Sequence, residues 1–369
     1  MNAARLAGQV RIVGTGLLGT SIGLALRHLG VDVILANRSP AALRLAIDYG
    51  AGREAAPGDD PALVIVAVAP DSTADLVAAE LDAHPGALVT DVASIKGSIL
   101  ADLTARGADV ARYLGSHPMA GRERGGAMAA RADIFLGRPW VITPHALTTP
   151  AQERLIEALA LDLGSTPIRL SPDEHDRAVA LVSHVPQIVA SLLAARLLGG
   201  SAAVPALAGQ GLRDTTRIAG SDPELWMQIL GANAAPVTEV LRAFRDDLDG
   251  VVAALEDPAA PGAPTRLAAM LTRGNQGVAR IPGKHGSDAR YETLVVQVAD
   301  APGELARLLT EIGEEGVNME DLRLEHSPGA QIGFAEIAVV PEAAGRLAEA
   351  LEARGWELAR GGQTQGSTS

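Results

Sequence analysis

The residue best suited to proton transfer is His117, in the stretch Ser116-His117-Pro118-Met119-Ala120-Gly121. An imidazole titrates near neutral pH, so it can take a proton from a hydroxyl group. Pro118 keeps His117 out of the helical region, and Gly121 permits a tight turn beside whatever is bound. A lone histidine is more often structural, so the case for chemistry depends on its company. Ser94, in Asp91-Val92-Ala93-Ser94-Ile95-Lys96, can exchange a hydrogen bond near His117, whereas Lys96 reads as a residue that caps or salt-bridges the next helix. His184 stands two residues before Pro186 in a helical pattern. A proline there bends the helix, which makes His184 either a site residue or a core histidine bonded to the freed carbonyl. Arg213 and Arg217 are four apart and share a face if that segment is helical. Their guanidinium forks would suit a dicarboxylate, the alternative being a solvated face with Asp214 as partner.

These groups need a scaffold, and the N-terminus supplies one. A short apolar strand, Gln9 to Val13, runs into Gly14-Thr15-Gly16-Leu17-Leu18-Gly19 and then a helix with buried spacing. This is G-x-G-x-x-G in strand–turn–helix context. Gly14 makes the turn, Gly16 lets a pyrophosphate approach, and Gly19 lets the helix pack against the strand. The N–H groups of Leu17 and Leu18 open that helix, where its dipole favours an anion. The second strand ends at Asn37-Arg38. An acidic residue there would bind the ribose hydroxyl of NAD, so a neutral Asn37 followed by Arg38 leans towards NADP or dual use. The alternative is Arg38 covering the adenine ring, with NAD still accepted.

The chain has 369 residues, enough for two or three domains. It has no cysteine, which excludes disulfides, thiolate nucleophiles and cysteine-based metal sites, and no metal is expected. A net charge of −13 without a basic cluster argues against nucleic acid. No uncharged apolar run is read as approaching bilayer-spanning length and no targeting segment is recognised, so the expected place is the cytoplasm, without a membrane partner.

Alternating strands and helices over residues 1–170 predict a Rossmann domain with a parallel sheet. Residues 171–256 read as an all-α domain for substrate and dimerisation, opened by the capping signal Ser171-Pro172-Asp173-Glu174. Residues 257–289 read as a linker with one short helix near Leu267 to Leu271. Residues 290–360 follow a βαββαβ order, the ferredoxin-like arrangement. Residues 361–369 form a polar Gly/Ser tail expected to be disordered.

Taken together, the Gly-rich loop, Asp91 to Lys96, Ser116 to Gly121 with Glu123, His175-Asp176 followed by Ser183-His184, and Arg213 to Trp226 resemble the prephenate dehydrogenases of the TyrA type. Asp300-x-Pro302-Gly303-x-Leu305 and Gly316-Val317-Asn318 resemble an ACT domain, a looser match. The resemblance implies oxidative decarboxylation of prephenate to 4-hydroxyphenylpyruvate with NAD or NADP, in tyrosine biosynthesis. It implies that His117 takes the hydroxyl proton and Ser94 orients the hydroxyl. It further implies that His184 and Arg217 hold the substrate, that Arg213 and Trp226 line the pyruvyl end, and that Glu123 orders or gates the pocket. A homodimer and a tyrosine effector at the ACT-like domain are also implied. Ala93 stands where the family usually has Gly. Arogenate remains an alternative substrate, and a non-catalytic regulator responsive to NAD(P) or an amino acid is the other reading. A β-hydroxyacid dehydrogenase would need a catalytic lysine in the helical domain, and residues 170–255 contain none.

Overall fold

The computed structural model describes residues 4–120, 126–199, 203–281, 291–326 and 332–359. Contacts divide the chain into two compact units, one of residues 1–199 and 216–245, the other of residues 200–215 and 246–369. Gly121, Glu123 and the 361–369 tail lie outside the described residues.

In the first unit the chain runs β1 (Gln9–Val13), α1 (Leu17–His28), β2 (Val33–Ala36), α2 (Pro40–Asp48), β3 (Arg53–Glu54), β4 (Pro61–Val66), α3 (Pro70–Ala83), β5 (Leu88–Asp91) and α4 (Gly97–Ala105). The five strands pair in parallel in the order β3-β2-β1-β4-β5. Side chains alternate across a strand. Ile12, Leu63 and Ile65 therefore enter one apolar cluster with Ile22 and Leu26 of α1, while Val13, Val64 and Val66 enter a second with Val77 and Leu81 of α3. Burial on both faces is what makes these strands near-continuous Val, Ile and Leu.

Register matters for function. Val13 pairs with Ala36 and with Val66, and Val66 with Asp91. The strands thus end level, and the loops carrying Gly14 to Gly19, Asn37 and Ser94 leave from one edge, where open α/β sheets bind ligands.

A mixed three-stranded sheet follows: β6 (Gly115–Pro118) antiparallel to β7 (Pro139–Thr143), then, after α5 (Pro150–Asp162), β8 (Thr166–Arg169) parallel to β7. His117 therefore lies on a strand and pairs with Val141, in the non-helical backbone that Pro118 favours. The chain before β6 bridges β5 at Val89 and Tyr113, which brings Ser116 and His117 beside the end of β5.

Next come α6 (Pro172–Val179), a π-helical turn at Ala180–His184, and α7 (Val185–Arg196). The Ser171–Glu174 capping box forms as the sequence predicts. Pro186 sits in the first turn of α7. It cannot donate to the preceding turn, and the helix absorbs it through the π turn that carries His184.

The helical stretch Pro172–Gly199 corrects one expectation, for it contains an 18-residue window of mean hydropathy 1.8, long and apolar enough to cross a membrane by composition. The apolar run starts only after the charged residues of α6 and is interrupted by Ser183, His184, Pro186 and Gln187. One third of that window is buried in the structure, and its buried positions include the polar His184 and Gln187.

Beyond it lie α8 (Ala203–Ala206), α9 (Gln210–Thr216), α10 (Pro223–Ala232), α11 (Ala234–Glu256) and α12 (Ala263–Val278). The last is a 16-residue helix in the stretch expected to be a linker. Its Ala, Gly and Pro content hides it, yet Pro264 lies in the first turn, where a missing N–H costs nothing. In the second unit β9 (Glu292–Ala299), α13 (Glu304–Glu314), β10 (Asp321–His326), β11 (Ile332–Val339), α14 (Pro341–Ala353) and β12 (Leu358–Ala359) build an antiparallel sheet in the order β10-β11-β9-β12. This is the expected βαββαβ arrangement. Its core joins Val296, Leu308, Ile337, Leu347 and Trp356.

Candidate active site

Gly14 has a positive φ of 100°, and a Cβ there would overlap the Ala67 carbonyl. A Cβ on Gly19 would overlap the Gly14 carbonyl. Both positions are closed to other residues. Gly16 differs, because its Cβ would meet nothing within 4 Å. Gly16 caps α1 without a side-chain hydrogen bond, and Leu17 and Leu18 open the helix. An open glycine at an uncapped helix start fits a dinucleotide pyrophosphate. Asn37 donates from Nδ2 to Thr15 Oγ1 (2.7 Å) and accepts the Ser39 N–H (2.9 Å). Its amide thus braces the loop, while Arg38 is exposed beside it.

A cluster of buried titratable side chains assembles at the end of β5. Asp91 and Lys96 form a fully buried ion pair, and Tyr113 donates to Asp91 Oδ2 (2.6 Å). Lys96 Nζ also donates to the Ser116 carbonyl (2.8 Å), and Ser116 Oγ to the Asp91 carbonyl (3.0 Å). Lys96 is therefore structural, as its sequence context suggested, but its side chain ties the end of β5 to the strand of His117 and does not cap α4. Burial lowers its pKa and Asp91 opposes that shift. Burial and the Asp91 charge raise that of Tyr113 well above the usual phenol range. Ser94 lies half-buried in the same β5–α4 loop, two residues before Lys96.

His117 is half-buried, with Nδ1 2.9 Å from His175 Nε2. His175 Nδ1 is 2.8 Å from Asp176 Oδ1. Burial, then the neighbouring His175, Lys96 and His184, push the His117 pKa well below the usual histidine range. Burial likewise lowers that of His175, against the pull of Asp176. Burial alone would raise Asp176, but the hydrogen bonds from His175 and from the backbone N–H groups of Gly97 and Lys96 hold it low.

The π turn adds His184, which is buried. Asn233, between α10 and α11, donates to the Asp176 carbonyl (2.8 Å) and lies 3.0 Å from His184 Nδ1. Nδ1 therefore accepts, and His184 keeps its proton on Nε2. Burial lowers its pKa to about 4, so at neutral pH it is an uncharged donor. Trp226 of α10 meets His184 edge-on, with centroids 5.9 Å apart.

A continuous line of contacts thus joins Trp226, His184, Asn233, Asp176, His175 and His117. The residues themselves singled out His117 and His184, and Trp226 entered through resemblance. His175 and Asp176 entered only through resemblance, and Asn233 carried no signal. α9 ends at Thr216, and Arg217 begins a 3-10 turn that packs against α7. Arg213 and Arg217 therefore do not share one continuous α-helical face. Arg217 is exposed on the first unit, and Arg213 is exposed on the second. Among the described residues no cluster of His, Asp or Glu has the form of a metal site.

Residues 22–166 match the model of the prephenate dehydrogenase nucleotide-binding domain, and residues 171–272 that of the prephenate dehydrogenase dimerization domain. The chain is 36% identical over 353 residues to a Streptomyces niveus protein named "Probable prephenate dehydrogenase NovF", covering 94% of this chain and 98% of that one. Among solved structures, prephenate dehydrogenase from A. aeolicus in complex with hydroxyphenyl propionate and NAD+ is 26% identical, with a TM-score of 0.65, covering 74% of this chain and 99% of that one. Synechocystis arogenate dehydrogenase is 26% identical, with a TM-score of 0.61, covering 73% and 99%.

Proposed function

The chain belongs to the prephenate dehydrogenase family, and on that premise we propose that it oxidises prephenate to 4-hydroxyphenylpyruvate and carbon dioxide with reduction of NAD(P). The observation that carries this reading is His117, neutral, half-buried and backed by His175 and Asp176 at the ligand-binding edge of the sheet. Bound NAD(P) supplies the hydride acceptor for ring C4. Gly14, Gly16 and Gly19, with the N–H groups of Leu17 and Leu18, would hold its pyrophosphate, and Asn37 and Arg38 would face its ribose.

In this reading His117 takes the proton of the C4 hydroxyl and Ser94 orients that hydroxyl. The ring carboxylate leaves as carbon dioxide and the ring becomes aromatic, so the protein chiefly positions groups and moves one proton. His184, an uncharged Nε2–H donor, and Arg217 hold the substrate, with Trp226 closing the pocket beside His184. Arg213 and Glu123 complete the proposed set from their family positions.

Three further assignments belong to the same proposal. A neutral Asn37 followed by Arg38 supports NADP or dual use. The dimerization-domain match supports a homodimer. The βαββαβ unit supports an ACT-like domain that binds tyrosine as feedback inhibitor. A two-by-two assay of prephenate or arogenate against NAD or NADP, followed by the absorbance of the reduced nicotinamide, tests the reading. Reduction with prephenate is expected. Turnover of arogenate alone would move the substrate assignment, and four blanks would favour the regulator.

A further inference from the structure

We propose that His175 and Asp176 are a positioning pair that fixes the tautomer of His117, leaving its Nε2 lone pair as the base for the substrate hydroxyl. This rests on the reaction proposed above and assigns roles to two residues outside it.

The protons can be placed one by one. Asp176 Oδ1 accepts the Lys96 N–H (2.9 Å) and Oδ2 the Gly97 N–H (2.8 Å), so this carboxylate stays ionised and can only accept. His175 Nδ1, 2.8 Å from Asp176 Oδ1, must then carry a proton. A neutral imidazole with Nδ1 protonated offers its lone pair on Nε2. That Nε2 lies 2.9 Å from His117 Nδ1, which must supply the proton between them. His117 Nε2 is left bare. The reverse arrangement needs a buried imidazolium at His175, which its surroundings oppose.

After the hydroxyl proton reaches Nε2, the His117 Nδ1–H still points at His175. The new positive charge gains a hydrogen-bond chain ending on Asp176 with no rearrangement. Asp91 and Lys96 face this group from the β5–α4 side, Tyr113 from before β6, His175 and Asp176 from α6, and His184 from the π turn. One carboxylate therefore does two things. Through His175 it orients the base, and through the N–H groups of Lys96 and Gly97 it holds the loop that carries Ser94.

Two substitutions in the full chain separate this role from packing. His175→Leu removes the acceptor, and kcat should fall about a hundredfold with KM and dinucleotide affinity unchanged. His175→Gln keeps an acceptor for the His117 Nδ1–H and should recover part of that loss. Long-range proton–nitrogen spectra of the histidine rings should show wild-type His117 protonated on Nδ1, moving to Nε2 in His175→Leu. A wild-type His117 protonated on Nε2 would overturn the proposal, as would wild-type kcat in His175→Leu or no recovery in His175→Gln. The wild-type spectrum needs neither substrate nor variant, so it decides the tautomer even if His175→Leu fails to fold or the substrate assignment falls.

Discussion

At His117 the decisive property is charge. The base proposed above must be neutral before it can accept a proton, and burial with three neighbouring cationic or titratable side chains pushes the His117 pKa well below the usual histidine range. The pH profile of kcat/KM should therefore stay flat as pH falls through 6.5, the ordinary histidine value, and bend only at lower pH. A limb at the ordinary value would mean that the field around His117 is weaker than its contacts imply. His184 makes a related prediction for stability. Its pKa drops from 6.5 to about 4 on folding, so between those values the unfolded chain binds a proton that the native chain refuses. Stability is complete above 6.5 and is lost progressively down to about pH 4, by about 3 kcal/mol. Urea midpoints measured across that range should show this slope, and His184→Phe should make it shallower. His117 and His184 were legible as residues because proline neighbours mark them. Asn233 was not, since a single amide between two helices forms no pattern until the fold brings it to His184.

The Gly-rich turn between β1 and α1 allows a sharp test at the scale of one element. Gly14→Ala would place a methyl group against the Ala67 carbonyl in a left-handed conformation and should destabilise the fold by more than 1 kcal/mol, on the order expected for incompatible backbone. Gly16→Ala meets open space. It should leave the thermal midpoint unchanged while weakening dinucleotide binding about tenfold or more, on the order of one lost close contact to phosphate. Calorimetry and a fluorescence titration with the reduced cofactor read the two effects separately. Equal binding by wild type and Gly16→Ala would place the pyrophosphate elsewhere. The strands β1, β2, β4 and β5 were readable because burial on both faces makes them continuous apolar runs. β3 has two residues and β8 is Thr166-Pro167-Ile168-Arg169, so pairing with neighbours defines them and no local signal does. The π turn was foreseen only as a bend. A proline announces that a helix must adjust, while the tertiary contacts of His184 decide how.

Across the whole molecule, apolar side chains remain exposed on the helices that follow the dinucleotide-binding part, including Leu181, Val182, Leu192 and Leu198, and along α11 at Phe244, Leu248, Val252 and Leu255. A second copy of the chain is the occupant expected from the family's dimerization domain. Sedimentation should show a dimer for the wild type and a smaller species for Leu192→Glu, and an unchanged dimer would put the interface elsewhere. The order of elements in the C-terminal unit was legible because Gly303, at φ 93°, caps α13 after a Pro-Gly turn and apolar alternation resumes on either side. Its ligand was not, since a βαββαβ unit serves many purposes. The most direct test of the central claim is the steady-state turnover of His117→Asn with prephenate and NAD(P). Loss of kcat by about a hundredfold or more, with cofactor affinity retained, is the predicted result. Undiminished turnover in that variant would contradict the assignment of His117 as the base.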